Sequence, residues 1–168
     1  MGRTTVCTLL FVCLLAALSA SAAAATTTAK LTGVEIGATS THGTFLGNGH
    51  AGTGAKVAWT ASVRHTPIKR GSAEITGGTF AMGTLKGTHS ANAFAGKFVG
   101  GTVRLTDSSP GCGDQHFAVR GRLANVVTPS AKGGSGTMSI RLTHYRRSVL
   151  GRCVTYGASV VGTVSIAA

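Results

Sequence analysis

Six histidines and four carboxylates are the side chains of this sequence that could transfer protons or bind a metal ion. The histidines are His42, His50, His65, His89, His116 and His144, and the carboxylates are Glu35, Glu74, Asp107 and Asp114. No two histidines have the HxH or HxxxH spacing that brings two ligands to one metal. The GxSxG, HExxH and P-loop motifs do not occur in the sequence either. The sequence therefore predicts no catalytic residue, no metal site and no cofactor.

The segment from Gly47 to Gly52 matches GxGxxG, the fingerprint that holds a dinucleotide pyrophosphate. That motif needs a helix after it, because the helix N-terminus faces the phosphates. Here the following residues alternate between apolar and polar side chains, which is typical of a strand. We therefore interpret the match as a glycine-rich turn and predict no dinucleotide site.

Basic residues dominate the charge of the chain, since 16 Lys and Arg oppose 4 Asp and Glu and give a net charge of +12. The polar positions of three successive alternating segments carry Arg104, Arg120, Arg122 and Arg141. Neighbouring strands would bring these arginines together as a basic stripe, a surface that attracts polyanions such as an anionic cell-surface polymer. Nucleic acid is disfavoured as the partner, because this stripe has little aromatic stacking surface beyond Tyr145.

The N-terminus has the three parts of a signal peptide, with Arg3, an apolar run from Val6 to Leu18, and small residues up to Ala25. The apolar run is shorter than the roughly 20 residues that span a bilayer. We predict that residues 1–25 are removed and that 26–168 form a single secreted domain, extracellular or periplasmic, without a transmembrane segment. Cleavage would leave Cys112 and Cys153, which should form a disulfide worth about 4 kcal/mol in the chain-entropy treatment.

Alternating apolar residues predict β-strands over almost all of the remaining chain. Val57, Trp59, Ala61 and Val63 alternate with polar or small residues, and the same pattern recurs around Phe117 and around Ile140. We place strands at 31–36, 43–48, 55–65, 72–85, 96–106, 116–126, 137–146 and 153–166. The fourth strand should contain a bulge at Gly77 and Gly78.

Short connections between these strands favour an antiparallel up-and-down barrel of about eight strands, which resembles streptavidin and the lipocalins in architecture alone. A β-sandwich is the alternative fold. The immunoglobulin form of the sandwich places a tryptophan between its paired cysteines, whereas Trp59 precedes both Cys112 and Cys153.

One mouth of such a barrel would carry the connections 37–42, 66–71, 107–115 and 147–152, and therefore both cysteines. His65, His144 and Tyr156 should point inward at this rim, with Trp59 below them. Polar groups converging above an apolar floor are typical of a small-molecule site.

Three functions remain open from the sequence. The first is a non-enzymatic binding protein that holds a small apolar or amphipathic ligand near His65, His144, Tyr156 and Trp59. The second is a protein that binds polyanions through Arg104, Arg120, Arg122 and Arg141. The third is an isomerase or cyclase built on a small barrel, which would resemble allene oxide cyclase in shape only.

Overall fold

The computed structural model describes residues 26–86, 89–128 and 132–167, with side chains for all of these except 86 and 89–93. The predicted signal peptide, residues 1–25, lies outside the described residues. Within the described ranges, there is no helix long and apolar enough to cross a membrane.

Eight antiparallel strands follow one another and close into a barrel. They are β1 (Thr26–Thr39), β2 (His42–Ala51), β3 (Lys56–His65), β4 (Ser72–Lys86), β5 (His89–Ser108), β6 (Gln115–Val127), β7 (Gly134–Val149) and β8 (Arg152–Ala167). Each strand pairs with the next, and β8 returns to pair with β1 from Thr26 opposite Ala167 to Gly33 opposite Val160. The predicted up-and-down barrel is confirmed, and the chain does not adopt the alternative sandwich.

The predicted alternation sets which side chains fill the barrel. Val57, Trp59, Ala61 and Val63 are buried on the inner side of β3, and Phe117 and Ile140 are buried on β6 and β7. At roughly 25 cal/mol for each Å² of apolar surface removed from water, this row-by-row burial is the main stabilising term of the fold. The middle of the barrel is therefore packed with side chains.

Trp59 needs a glycine on β1, two strands away from β3 in the barrel. A Cβ atom at Gly33 would lie 2.9 Å from Trp59 Cζ2 and would also meet the Leu46 carbonyl oxygen. The space that Gly33 leaves accommodates the indole, whose Nε1–H donates to the carbonyls of Thr32 (3.0 Å) and Asn48 (3.2 Å). The buried indole nitrogen is thus satisfied without water.

The register of β4 departs from regular pairing close to the predicted place. Arg64 pairs with Gly77, whereas the next β3 residue, His65, pairs with Ile75. The extra residue is therefore Thr76, just before the predicted position at Gly77 and Gly78. This bulge bends β4 at the mouth that carries the β3–β4 connection.

At this same mouth, β7 and β8 extend beyond their pairs with β6 and β1. The last β6–β7 pair is Gln115 with His144, and the last β1–β8 pair is Gly33 with Val160, but β7 and β8 continue to pair as far as Val149 with Arg152. We call residues 145–157 the β7–β8 arm. The predicted disulfide is confirmed, and it joins Cys153 of the arm to Cys112 of the β5–β6 connection.

Candidate functional site

A cavity of about 300 Å³ opens at the mouth formed by the β1–β2 and β3–β4 connections. We call it the cup. Its walls are largely apolar and include Phe45, Val63, Val103, Phe117, Val119 and Leu142. The volume lies at the lower end of the roughly 300–1,000 Å³ that small-molecule sites occupy. The cup is therefore large enough for a small organic ligand.

The apolar walls follow from the same alternation that fills the core. Phe45, Val63 and Leu142 are inward side chains close to the mouth end of their strands, and each is less than a tenth exposed. Nearer the mouth, the ionisable residues Glu35, His65 and His144 occupy the inward positions of β1, β3 and β7. A polar rim therefore lies directly above an apolar floor.

Glu35 and His144 form a hydrogen-bonded pair in the cup. His144 Nε2 lies 2.6 Å from Glu35 Oε2, and the two side chains are only 18% and 8% exposed, respectively. A carboxylate oxygen accepts, so the Nε2 atom carries the proton and Nδ1 of a neutral His144 ring is left as an acceptor. The pair is thus a fixed polar feature in a largely apolar environment.

Two small residues allow this pair to form between strands that are not neighbours. His144 is paired with Ala158 of β8, and continuing the β1–β8 register by two residues from Gly33 would align Ala158 with Glu35. A Cβ atom at Gly43 would lie 2.8 Å from Glu35 Oε1. The short side chain of Ala158 and the missing one of Gly43 therefore leave room for the carboxylate to reach the imidazole.

Two more histidines line the cup. His65 Nδ1 lies 2.7 Å from the Thr66 carbonyl oxygen, so it must donate, and a neutral His65 offers Nε2 as an acceptor. His42 Nε2 shares a hydrogen bond of 2.8 Å with the Ser62 hydroxyl. The rim thus offers acceptors at Glu35, His65 and His144.

The structure brings together two of the four residues that the sequence proposed for ligand binding. His65 and His144 both line the cup. Trp59 is buried deeper on β3, four residues before the cup-lining Val63, and its indole belongs to the packed core. Contact of His65 and His144 with a ligand stays a prediction.

The inward orientation predicted for Tyr156 is wrong. Its side chain is 60% exposed and lies on the outer surface against Tyr145, with the Arg147 guanidinium 5.4 Å from the ring centre. The cause is a register shift: Tyr145 pairs with Gly157, but Arg146 pairs with Thr155, so Tyr156 is an extra residue in β8. A bulge reverses the alternation, and simple period-two counting from Val160 and Ala158 fails beyond it.

The sequence prediction missed His42, which also lines the cup, and above all Glu35. Glu35 follows Ala29, Leu31 and Gly33 at intervals of two residues, so it should point into the barrel as they do. This inward position was the sequence signal that could have identified it. A carboxylate on the core side of a strand either has a buried partner or lies at a mouth. Here it does both.

The four predicted arginines form a basic face on the outer side of β5, β6 and β7. Arg104, Arg120, Arg122 and Arg141 are all exposed. No two of them face each other across strands: Arg104 and Arg141 both pair with Ala118, whereas Arg120 pairs with Thr102 and Ser139. The register therefore keeps the like charges apart diagonally and avoids the repulsion of direct opposition.

Two depressions run along this basic face. The smaller, about 300 Å³, lies over Ala118 between Arg104 and Arg120. The larger, about 710 Å³, is lined by Arg120, Arg122, the glycines Gly100, Gly101 and Gly121, and Glu74, which adds a carboxylate to its lining. Arg120 and Thr102 line both, so the two depressions adjoin on this face.

Within the described parts of the chain, no group of three or more His, Cys, Asp or Glu side chains is placed to hold a metal ion. In comparisons with known proteins, no protein-family model, curated protein or solved structure matches this chain.

Proposed function

We propose that this is a secreted, non-enzymatic binding protein that holds a small amphipathic ligand in the cup. The observation that carries the proposal is the Glu35–His144 pair, which lies hydrogen-bonded in an apolar cavity of about 300 Å³ at the barrel mouth. Small-molecule sites combine this kind of apolar lining with a few fixed polar groups.

The polar atoms of the rim favour a ligand with a hydrogen-bond donor. Glu35 Oε1 accepts, and so do His65 Nε2 and His144 Nδ1 when the rings are neutral. A hydroxyl or amino group could donate to these atoms while an apolar body contacts Phe45 and Val63. An anionic head group would instead face the Glu35 carboxylate. We therefore assign the cup to apolar alcohols, phenols or amines.

The disulfide is compatible with an extracellular location, because such bonds persist in oxidising compartments. Together with the predicted signal peptide, it supports secretion. Detection of the mature chain, beginning near Thr26, in the medium or periplasm would test this part of the proposal.

Thermal unfolding tests the ligand class. A ligand that binds only the folded protein raises the free energy of unfolding by about 2.7 kcal/mol at 100 times its Kd. We expect alkyl and aryl alcohols or amines to raise Tm, and the matching carboxylates to raise it much less. A panel in which carboxylates stabilise the protein equally would contradict the assigned ligand class.

A blocking variant tests the location. Ala38 lines the cup yet is exposed, so Ala38→Phe would fill the cup without removing a core contact. Thr53→Phe, at the exposed β2–β3 turn of the opposite end, is the matched control. We expect Ala38→Phe to abolish the ligand-induced rise in Tm and Thr53→Phe to keep it. Equal responses from the two variants would show that the ligand binds elsewhere.

Polyanion binding on the basic face is a second candidate function, favoured by the adjoining depressions between the arginines. Dextran sulfate is a suitable probe, and its binding should weaken steeply with salt because counterions are released. Replacing all four arginines by Ser should reduce binding well below that of a control with the same charge loss, Lys30, Lys56, Arg64 and Lys69→Ser. If the two variants bind equally, total charge and not this face determines retention.

The isomerase or cyclase alternative depends on the same Glu35–His144 pair, because a hydrogen-bonded carboxylate and imidazole in an apolar cavity could move a proton. Recovery of a cup ligand unchanged after long incubation would support binding alone. Conversion of the ligand to a product of the same mass, lost in Glu35→Gln, would favour the enzyme.

A further inference from the structure

The β7–β8 arm projects from the barrel mouth and has two different faces. Directly opposite residues share a face, so Ser148 and Cys153 lie on the side that the disulfide holds against the β5–β6 connection. The other side carries Arg147 opposite Val154 and Val149 opposite Arg152. We call this second side the outer arm face.

Exposed apolar side chains are concentrated on the outer arm face and at its tip. Val149 is 40% exposed, Val154 43% and Tyr156 60%. Leu150, at the tip, is 99% exposed and is among the most exposed large apolar side chains of the described residues. An apolar side chain held fully in water at the extremity of a projecting arm indicates a surface that is covered in use.

The backbone at Leu150 strengthens this reading. Leu150 has a φ of 50° and Gly151 a φ of 76°, so both residues of the two-residue turn are left-handed. Such turns favour Asn or Gly at the first position, and a leucine there is strained. Strain of this kind persists where another requirement outweighs it. The local backbone conformation therefore does not explain why position 150 is a leucine, and an interaction of its side chain would.

Charge identifies the surface that would cover the arm. Arg147 and Arg152 flank the tip, and residues 145–159 contain no carboxylate. The Asp114 carboxylate of the β5–β6 connection accepts from the backbone N–H of Arg146, on the disulfide side of the arm. The Arg147 guanidinium lies over the Tyr156 ring, 5.4 Å from its centre. A leucine tip between arginines, with a tyrosine behind it, matches an interface where acyl chains begin below anionic phosphates and where tyrosine rings reside.

We infer that the arm tip docks on the surface of anionic phospholipid bilayers. Leu150 enters the boundary between head groups and acyl chains, and Arg147 and Arg152 contact lipid phosphates. The disulfide to Cys112 fixes the direction of the arm, so the barrel mouth faces the bilayer. This inference is independent of the ligand proposed for the cup.

Sedimentation with vesicles tests the docking. We expect the protein to bind vesicles of phosphatidylglycerol mixed equally with phosphatidylcholine, and to bind pure phosphatidylcholine weakly. Leu150→Asn should weaken binding about tenfold, since a buried leucine side chain is lost. This variant suits the turn better than the leucine does, so misfolding would not explain its loss. The matched control is Val161→Asn, at a side chain 60% exposed on the barrel wall, which should bind normally.

Two further variants separate docking by the arm from attraction by total charge. Replacing Arg147 and Arg152 by Ser should weaken binding about fivefold for each arginine. The same loss of charge at Arg104 and Arg120 should have a smaller effect. Equal effects of the two double variants, or undiminished binding by Leu150→Asn, would overturn the inference, as would absence of vesicle binding.

A fluorescent residue at the tip tests insertion directly. In Leu150→Trp the added indole should shift its emission to the blue with anionic vesicles and be quenched by brominated lipid, while the buried Trp59 stays constant. An unshifted emission from bound protein would show purely electrostatic adsorption and would overturn insertion of the tip.

Discussion

Glu35 and His144 each supply the hydrogen-bond partner that the other needs in a site largely removed from water. Both are largely removed from water, and their hydrogen bond is 2.6 Å long. A buried polar group that loses its partner costs about 1–3 kcal/mol, whereas replacing both partners by apolar groups of similar shape can be nearly neutral. Comparing variants that lack one or both partners therefore measures how the polar pair changes the free energy of unfolding.

We predict that Glu35→Leu lowers the free energy of unfolding by about 1–3 kcal/mol, because His144 Nε2 is left without an acceptor. Glu35→Leu combined with His144→Phe should recover most of that loss. Denaturant unfolding of the two single variants and the double variant gives the coupling free energy directly. Strictly additive losses would show that the two side chains do not interact in solution.

Alternation identified His65 and His144 as rim residues, because each lies an even number of positions from a buried residue on an unbroken strand. The same rule misplaced Tyr156, since a bulge at that residue shifts the phase. The signal for this bulge in β8 is Gly157, which follows Tyr156, since an isolated glycine within a strand often marks a bulge. The partnership of Glu35 with His144 also escaped prediction, because it depends on how β1, β8 and β7 align around the barrel.

Strands were easier to predict than their ends. An apolar alternation indicates the centres of most strands, β3, β6 and β7 among them, but β1 begins at Thr26 and not at 31, and β5 begins at His89 and not at 96. The first five residues of β1, Thr26 to Lys30, form a strand because they pair with Ala167 to Thr163 of β8. Extension of this kind is decided by the partner strand, and local sequence contains little information about it.

The β7–β8 arm depends on its disulfide, because a two-stranded ribbon is at best marginally stable by itself. We predict that replacing Cys112 and Cys153 together by Ser lowers the free energy of unfolding by about 2–4 kcal/mol. Amide hydrogen exchange should rise first in the arm, while the amides of β3 and β4 stay protected. The wild-type protein in reducing agent is the control, and unchanged exchange in the arm would contradict this view of the anchor.

The turn at the tip of the arm should be open to improvement. We predict that Leu150→Asn raises the free energy of unfolding by about 1 kcal/mol, because asparagine tolerates the left-handed backbone that a leucine adopts only with strain. The midpoint of denaturant unfolding measures the change, and Leu150→Ala, which keeps a Cβ atom without the polar amide, is the control. A variant less stable than the wild type would mean that Leu150 makes stabilising contacts in solution.

The whole molecule repels itself. Its net charge is +12 with the histidines neutral, and the Glu35 carboxylate faces His144 inside the cup, so it does little to offset the outer arginines. The arginines at the basic face, and Arg147 and Arg152 on the arm, are exposed and lie on strands that folding brings together. Folding therefore concentrates positive charge, and the resulting repulsion lowers the stability of the barrel.

We predict that salt stabilises the fold. Raising ionic strength from about 0.01 M to about 0.15 M shortens the Debye length from roughly 30 Å to roughly 8 Å, which screens repulsion between exposed arginines. Tm should rise on the order of 2–4 °C. Sodium chloride is the suitable salt, since sulfate would stabilise any protein by exclusion. The variant with Arg104, Arg120, Arg122 and Arg141 replaced by Ser should show a smaller rise, because less repulsion remains to be screened. A falling Tm would instead mean that attractive pairs dominate the electrostatics of the barrel.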